Sequence, residues 1–259
     1  MLNISPIPAF DDNYIWLLRQ EGQDLATVVD PGDEEPVLAR LTAEGLTLGA
    51  ILLTHHHGDH IGGVADLLDR WPQARVYGPR DRRIRLVTDP VGEGDRISPP
   101  GLGISLRVLE VPGHTATHIA YEGAGALFCG DTLFAAGCGR VFDGTFDQLA
   151  VSLARIAALP PETLLYCAHE YTLANLGFAA WVEPASPALA ERRARVEAQR
   201  AADEPTVPST LAEELATNPF LRTSAAGVRA AAEAFAGHPL TSGAQVFTAL
   251  RQWKDSRYD

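Results

Sequence analysis

The segment Thr54-His55-His56-His57-Gly58-Asp59-His60 follows directly on the apolar run LTLGAILL, and this junction constrains the chain more than any other feature. A nearly continuous apolar run of that length reads as a strand buried on both faces, so the polar cluster must emerge at the rim of an α/β scaffold. Alternate side chains of an extended segment share a side. His55 and His57 can therefore reach one ion while His56 points elsewhere, and Asp59 and His60, where the loop turns into the next helix, can reach a second. A histidine run alone is equally consistent with an exposed loop or an adventitious metal site. The HxHxDH pattern immediately after a buried strand favours two metals.

Three later segments share this design. LRVLEVPGHT, GALFCGDTLF and TLLYCAHEYT each read as an apolar strand ending in a histidine or an aspartate: His114, Asp131 and His169. Groups at strand ends sit where loops leave a rigid scaffold. The two oxygens of Asp131 could bridge two cations. Five histidines and two aspartates form an N/O donor set suited to two divalent ions, with zinc favoured and iron or manganese as alternatives. Cys129, Cys138 and Cys167 are odd in number and lack CxxC spacing, so neither a disulfide framework nor a thiolate metal site is expected. His118 reads as a packing group or a partner to a metal ligand, and His238 as a loop residue.

NYIWLLRQ and DLATVVD read as strands joined by a tight turn, with Asp30-Pro31-Gly32 ending the second. EEPVLARLTAEG reads as an amphipathic helix, IGGVADLLDRWPQ as another, and ARVYGP as a strand. From about Tyr171 the composition turns helical, in SPALAERRARVEAQRAADE and GAQVFTALRQWKD, linked by the Pro-containing EPTVPS. Thr210 and Glu213 fit a capping box opening a helix that Asn218-Pro219-Phe220 should end.

A formal charge of −12 disfavours a nucleic-acid partner, which generally requires clustered cations. No apolar run approaches the roughly 20 residues of a membrane span. The N-terminus MLNISPIPAFDDNY lacks the pattern of a secretory signal, so a cytoplasmic protein, free of membrane and expected to be monomeric, is the reading. Of the 21 basic residues only Lys254 is a lysine. Arg251 and Lys254 are helical neighbours, beside the apolar stripe of Val246, Leu250 and Trp253. Taken alone they describe a solvated helix end complementing its dipole.

THHHGDH, PGHTATH, GDTLF and AHEYT resemble, in order and spacing, the metallo-β-lactamase superfamily. FDDNYIWLL, GDTLFAAGCGRVFDGT, AHEYTLANL, NPFLR and LRQWKD resemble its hydroxyacylglutathione hydrolase, or glyoxalase II, family. The resemblance implies an αβ/βα sandwich over residues 1–168 and a small α-helical, glutathione-binding C-terminal domain over residues 169–259. It implies one metal on His55, His57 and His114, another on Asp59, His60 and His169, and Asp131 as the bridge. Asp59 and Asp131 become the catalytic carboxylates, and Arg140, Tyr171, Arg251 and Lys254 the substrate contacts. The implied reaction is hydrolysis of S-D-lactoylglutathione to glutathione and D-lactate, the second step of methylglyoxal detoxification.

Two positions depart from the family pattern: Arg140 stands where lysine is common and Phe142 where tyrosine is frequent. The competing enzymes on such a scaffold are a mononuclear persulfide dioxygenase, a β-lactamase and a different thioesterase. The first would not need His60 and His169 as second-site ligands, and the second should carry an export signal. A non-catalytic metal-binding protein would tolerate ligand loss, yet all seven positions are filled.

Overall fold

The apolar runs of the first half pair in chain order. In this computed structural model, which describes residues 1–258, the chain divides into two units: Met1–Glu110 with Thr117–Gly130, and Val111–Ala116 with the chain from Asp131 onward.

In the first unit β1 (Leu2–Ala9) and β2 (Asn13–Gln20) form an antiparallel hairpin in register from Leu2↔Gln20 to Ala9↔Asn13, and β3 (Leu25–Val29) continues the antiparallel order. Helix α1 (Glu34–Glu44) then carries the chain to β4 (Thr47–Leu52), which lies parallel to β3. Asp33 starts the helix by accepting the Glu35 amide at 3.0 Å, and Gly45, at φ 67°, ends it. Five of the six β4 residues are buried, as a parallel strand requires.

The helix expected after the histidine cluster is split into α2 (Gly58–Ile61) and α3 (Val64–Arg70), with Gly62-Gly63 between them. The interruption has a steric cause. A Cβ on Gly62 would lie 2.5 Å from the Gly32 carbonyl oxygen, and one on Gly63 2.5 Å from the Glu34 amide nitrogen. The histidine loop and the Asp30-Pro31-Gly32 turn are thus in backbone contact.

Strands β5 (Arg75–Pro79) and β6 (Asp89–Val91) complete the sheet in the order β1-β2-β3-β4-β5-β6. The core of this unit includes Ile15, Leu17, Val28, Ile51, Leu53, Val37, Leu41 and Leu67. Four further strands, β7 (Arg96–Ile97), β8 (Leu106–Glu110), β9 (Ile119–Gly123) and β10 (Ala126–Gly130), pair antiparallel in sequence order.

The second unit opens with a short hairpin of β11 (Leu133–Phe134) and β12 (Gly137–Cys138), followed by α4 (Phe146–Ala157), which Thr145 and Gln148 start with a reciprocal capping box. Strand β13 (Leu164–Cys167) leads into α5 (Thr172–Val182) and α6 (Pro187–Ala201). Strand β14 (Ser209–Thr210) pairs antiparallel with β13. Helices α7 (Leu211–Thr217), α8 (Ala226–Ala236) and α9 (Gly243–Trp253) follow, with a π-helical turn over Lys254–Tyr258. The Thr210 hydroxyl accepts the Glu213 amide at 3.2 Å, giving half the expected capping box, while the Glu213 carboxylate turns to Arg195. Asn218 ends α7, as NPF predicts.

Between β5 and β6, Asp81 accepts from the Arg83 guanidinium at 2.6 Å, the Arg83 amide at 2.9 Å and the Thr117 hydroxyl at 2.6 Å. These donors, Arg83 foremost, hold its carboxyl well below the usual carboxylate range. A carboxyl whose folded pKa is depressed stabilises the fold above its unfolded pKa, and that contribution is lost as pH falls through the folded value. Asp81→Asn should therefore cost about 1 kcal/mol at pH 7, modest because Arg83 is half-exposed. Urea unfolding of both proteins at pH 7 and at acid pH should show the difference narrowing below about pH 4.

Candidate metal centre

The first unit supplies four of the expected ligands from one loop. The two residues after β4 are pinned: the Leu53 amide donates to Tyr77 O at 2.9 Å, the Tyr121 hydroxyl donates to Leu53 O at 2.9 Å, and the Ile119 amide donates to Thr54 O at 2.9 Å. His55 starts from this fixed backbone. Its Nδ1 lies 3.1 Å from the Thr54 hydroxyl, its Nε2 lies 3.0 Å from His57 Nδ1, and its ring stacks on His118 at 4.6 Å. His56 faces the other way, 3.8 Å from Asp81.

Sequence reasoning treated Asp30 only as a strand terminator, yet it organises this loop. At φ 51° it turns its carboxylate to accept the Thr54 amide at 2.8 Å and the Thr54 hydroxyl at 2.7 Å. Its Oδ2 also lies 3.0 Å from His60 Nδ1. A carboxylate on one imidazole nitrogen fixes the ring and reserves the opposite nitrogen for a metal. That nitrogen, His60 Nε2, lies 3.4 Å from Asp59 Oδ2. Asn13, also overlooked in the sequence, donates its Nδ2 to Asp59 Oδ2 at 3.1 Å. Gly32 is obligatory here, because a Cβ would meet the Asp59 carbonyl oxygen at 1.8 Å.

The second unit brings together the other three. Asp131 follows β10 and turns its two oxygens to different imidazoles: Oδ2 lies 3.5 Å from His114 Nε2, and Oδ1 lies 3.4 Å from His169 Nε2. The remaining His114 nitrogen, Nδ1, lies 2.8 Å from the Arg140 carbonyl oxygen. Gly139 permits this closeness, since its Cβ would fall 2.0 Å from Asp131 O and 3.0 Å from His114 Nδ1. The ring of Tyr171 stacks parallel on His169, 4.7 Å between centroids.

Donor atoms sharing a tetrahedral ion, with bonds of about 2.0–2.1 Å, lie roughly 3.3 Å apart. The four donor pairs within the two units are 3.0, 3.4, 3.5 and 3.4 Å apart. Imidazoles and carboxylates at such spacings fit divalent cations in both chemistry and distance. No cysteine is among the close-set donor groups of the described residues, and burial pushes the Cys138 thiol up to about 11 and the Cys167 thiol up to about 12.

The residues expected to meet substrate lie in the second unit. Arg251 is buried, donating to Cys138 O at 3.0 Å and to Asp255 at 2.8 and 3.1 Å. Lys254 is 7% exposed and lies 6.0 Å from the Tyr258 ring. Arg140 is partly exposed, with its Nε 3.8 Å from Asp255. Phe142 is 64% exposed and sets its ring against the His114 imidazole at 5.1 Å. His238 is an exposed loop residue, its Nδ1 3.0 Å from Pro239 O.

Residues 9–169 match the profile of the metallo-beta-lactamase superfamily, and residues 170–257 that of the hydroxyacylglutathione hydrolase C-terminus. The hydroxyacylglutathione hydrolase of Alkalilimnicola ehrlichii is 57% identical over 98% of this chain and 99% of its own. The chain belongs to the hydroxyacylglutathione hydrolase family of the metallo-β-lactamase superfamily. Its fold is accordingly the metallo-β-lactamase fold followed by a helical C-terminal part, as the sequence motifs imply. ETHE1 from Myxococcus xanthus shares that fold, with a TM-score of 0.68 at 24% identity, over 100% of this chain and 93% of that one. TTHA1623, solved in a di-iron-bound form, has a TM-score of 0.55 at 31% identity, over 64% of this chain and 91% of that one. The His/Asp cluster of this family member is compatible with a binuclear metal site.

Asp30→Asn keeps an oxygen for Thr54 but removes the charge beside His60. Its affinity for zinc should fall about 10- to 100-fold, read by competition with a chromophoric chelator. Unchanged affinity would remove Asp30 from the centre.

Proposed function

We propose that this chain hydrolyses the thioester of S-(2-hydroxyacyl)glutathione, S-D-lactoylglutathione above all, to glutathione and D-lactate. The observation that carries the reading is a complete His/Asp donor set in a chain 57% identical, over 98% of its length, to a hydroxyacylglutathione hydrolase.

In this reading His55, His57 and His114 hold one divalent ion, Asp59, His60 and His169 hold the other, and Asp131 bridges them. The opposed orientation of the two Asp131 oxygens supports the bridging role. Zinc is the favoured metal. Iron is the alternative that the di-iron relative supports, and manganese suits the same donors. Residues 1–168 are assigned to catalysis and residues 169–259 to glutathione, a division that follows the boundary between the two family profiles. A monomeric cytoplasmic enzyme completes the reading. Three buried cysteines, with no disulfide between them, suit a reducing compartment.

When bound, the two cations supply Lewis acidity, lowering the pKa of water and stabilising negative charge on the thioester oxygen. Asp59, its side chain 40% exposed and one oxygen held by Asn13, orients the attacking water and accepts its proton at a carboxylate oxygen. Thiolate leaves readily, so no dedicated acid is required. At the peptide end, Lys254 and Arg140 meet glutathione carboxylates; Arg251, expected from the sequence to do the same, is 1% exposed and instead holds Cys138 O and the Asp255 carboxylate that lies 3.8 Å from Arg140. Tyr171, fixed by stacking on His169 and by the edge of Phe134 at 5.2 Å, offers its hydroxyl to the peptide. Phe142 offers no hydroxyl at a position where the family often has one.

Purified protein loaded with two metal ions should release a thiol from lactoylglutathione, detected with a thiol-reactive chromophore. One bound iron, with oxygen consumed on a glutathione persulfide instead, would overturn the proposal. Lys254→Ala should raise KM at least about tenfold with kcat little changed, the signature of lost uniform binding. An unchanged KM would leave Lys254 as a buried structural cation at the end of α9 rather than a substrate contact.

A further inference from the structure

Between Asp131 and Arg140 the chain makes five consecutive backbone contacts with side chains of the C-terminal helices. Asn218 Nδ2 donates to Phe134 O at 3.2 Å and to Gly137 O at 2.9 Å. Asn175 Nδ2, from α5, donates to Ala135 O at 3.0 Å, and the Ala136 amide donates to Glu214 Oε2 at 2.7 Å. Arg251, from α9, donates to Cys138 O at 3.0 Å. Every residue from Phe134 to Cys138 thus has one backbone group taken by a distant side chain.

These side chains are among the most buried polar groups of the chain: Glu214 and Asn218 are 0% exposed, Arg251 1% and Asn175 2%. Burying a charge is unfavourable unless it is paired, and here both Glu214 oxygens are held, while Arg192 Nε lies 3.4 Å from the Glu213 carboxylate. Arg192, itself 2% exposed, donates to Glu214 at 2.5 Å and to the Thr217 hydroxyl at 2.6 Å, while Asn218 Nδ2 reaches the other Glu214 oxygen at 3.0 Å. A buried network in which both Glu214 oxygens are held favours one arrangement. It stabilises a backbone that would not hold itself, because Ala136 sits at φ 55°, where a residue with a Cβ is disfavoured. Gly137 has no room for a side chain, since a Cβ would lie 2.4 Å from the Asn175 amide.

We propose that Asn175, Glu214 and Asn218 are positioning residues: they template the span Phe134–Cys138 and so fix Asp131, three residues before it, and Arg140, two residues after it. The inference rests on the metal and substrate roles given above to those two residues. It also assigns the NPF motif a role beyond ending α7: its asparagine is the residue that binds the span twice. Helices expected to serve glutathione would thereby also set the geometry of a metal carboxylate.

The test compares wild type with Asn218→Ala, Glu214→Gln and, as a milder variant that removes a single contact, Asn175→Ala. Arg222→Ala is the matched control. It breaks polar contacts of the same unit, with Glu183 at 2.8 and 3.0 Å and with Ala216 O at 2.8 Å, none of which touches the span. Zinc retained against a competing chelator, the melting temperature of metal-free protein, and kcat and KM for lactoylglutathione are measured on each. Asn218→Ala should hold zinc about tenfold more weakly and lose about tenfold in kcat, with a smaller loss of both in Asn175→Ala. Arg222→Ala should keep both at a similar loss of melting temperature. Zinc affinity equal to wild type in the folded variants, or a loss no greater than that of the control, overturns the proposal. If wild type holds zinc but leaves the thioester intact, the functional reading fails while the zinc comparison still decides the role of the span. If wild type holds no zinc, both fail.

Discussion

Donor groups that attract a cation have little affinity for one another, so gathering them before a cation arrives requires a scaffold that holds each from behind. The chain meets this constraint by giving ligands a second partner: on the far ring nitrogen of His60 and His114, on the ring face of His169, and on the Asp59 oxygen that also lies beside His60. His60 has the Asp30 carboxylate, His114 the Arg140 carbonyl, His169 the stacked face of Tyr171, and Asp59 the Asn13 amide. The ring or carboxylate is oriented by the protein, which leaves the donor atom to be satisfied by the metal.

Those partners are within reach because backbone segments approach more closely than side chains would allow. Gly32 lies against Asp59, Gly62 against Gly32, and Gly139 against Asp131. Each is a place where the fold trades a side chain for proximity, and each adjoins a proposed metal ligand or its support. The tolerance of these loops to substitution is therefore set by contact distance rather than by exposure.

The proposed metal ligands stand out in the sequence because His55, His114, Asp131 and His169 follow apolar strands, while His57, Asp59 and His60 share one segment with His55 whose alternation separates His56 from His55 and His57. Asp30 does not, since Asp-Pro-Gly after a strand has the same appearance whether it merely turns the chain or also braces a histidine. The supports of Phe134–Cys138 were hidden for another reason. Asn175, Glu214 and Asn218 are isolated polar residues on helices, a pattern that ordinarily marks solvent, and only the tertiary fold turns them inward. Helix α5 escaped detection because TLANLGFAAWV is apolar nearly all round, leaving little periodicity, and α8 because alanines carry most of AGVRAAAEAFA. The single helix expected after the histidines became two because adjacent glycines were needed against the neighbouring turn.

The buried cysteines carry a consequence for an enzyme whose proposed product is itself a thiol. Mixed-disulfide exchange begins when a thiolate attacks an accessible disulfide sulfur. Cys138 and Cys167 are protonated at neutral pH and shielded by the fold, and Cys129 is equally buried. Glutathione disulfide therefore finds no partner on the folded protein. The same burial would keep the enzyme from being capped by the oxidised form of its own product.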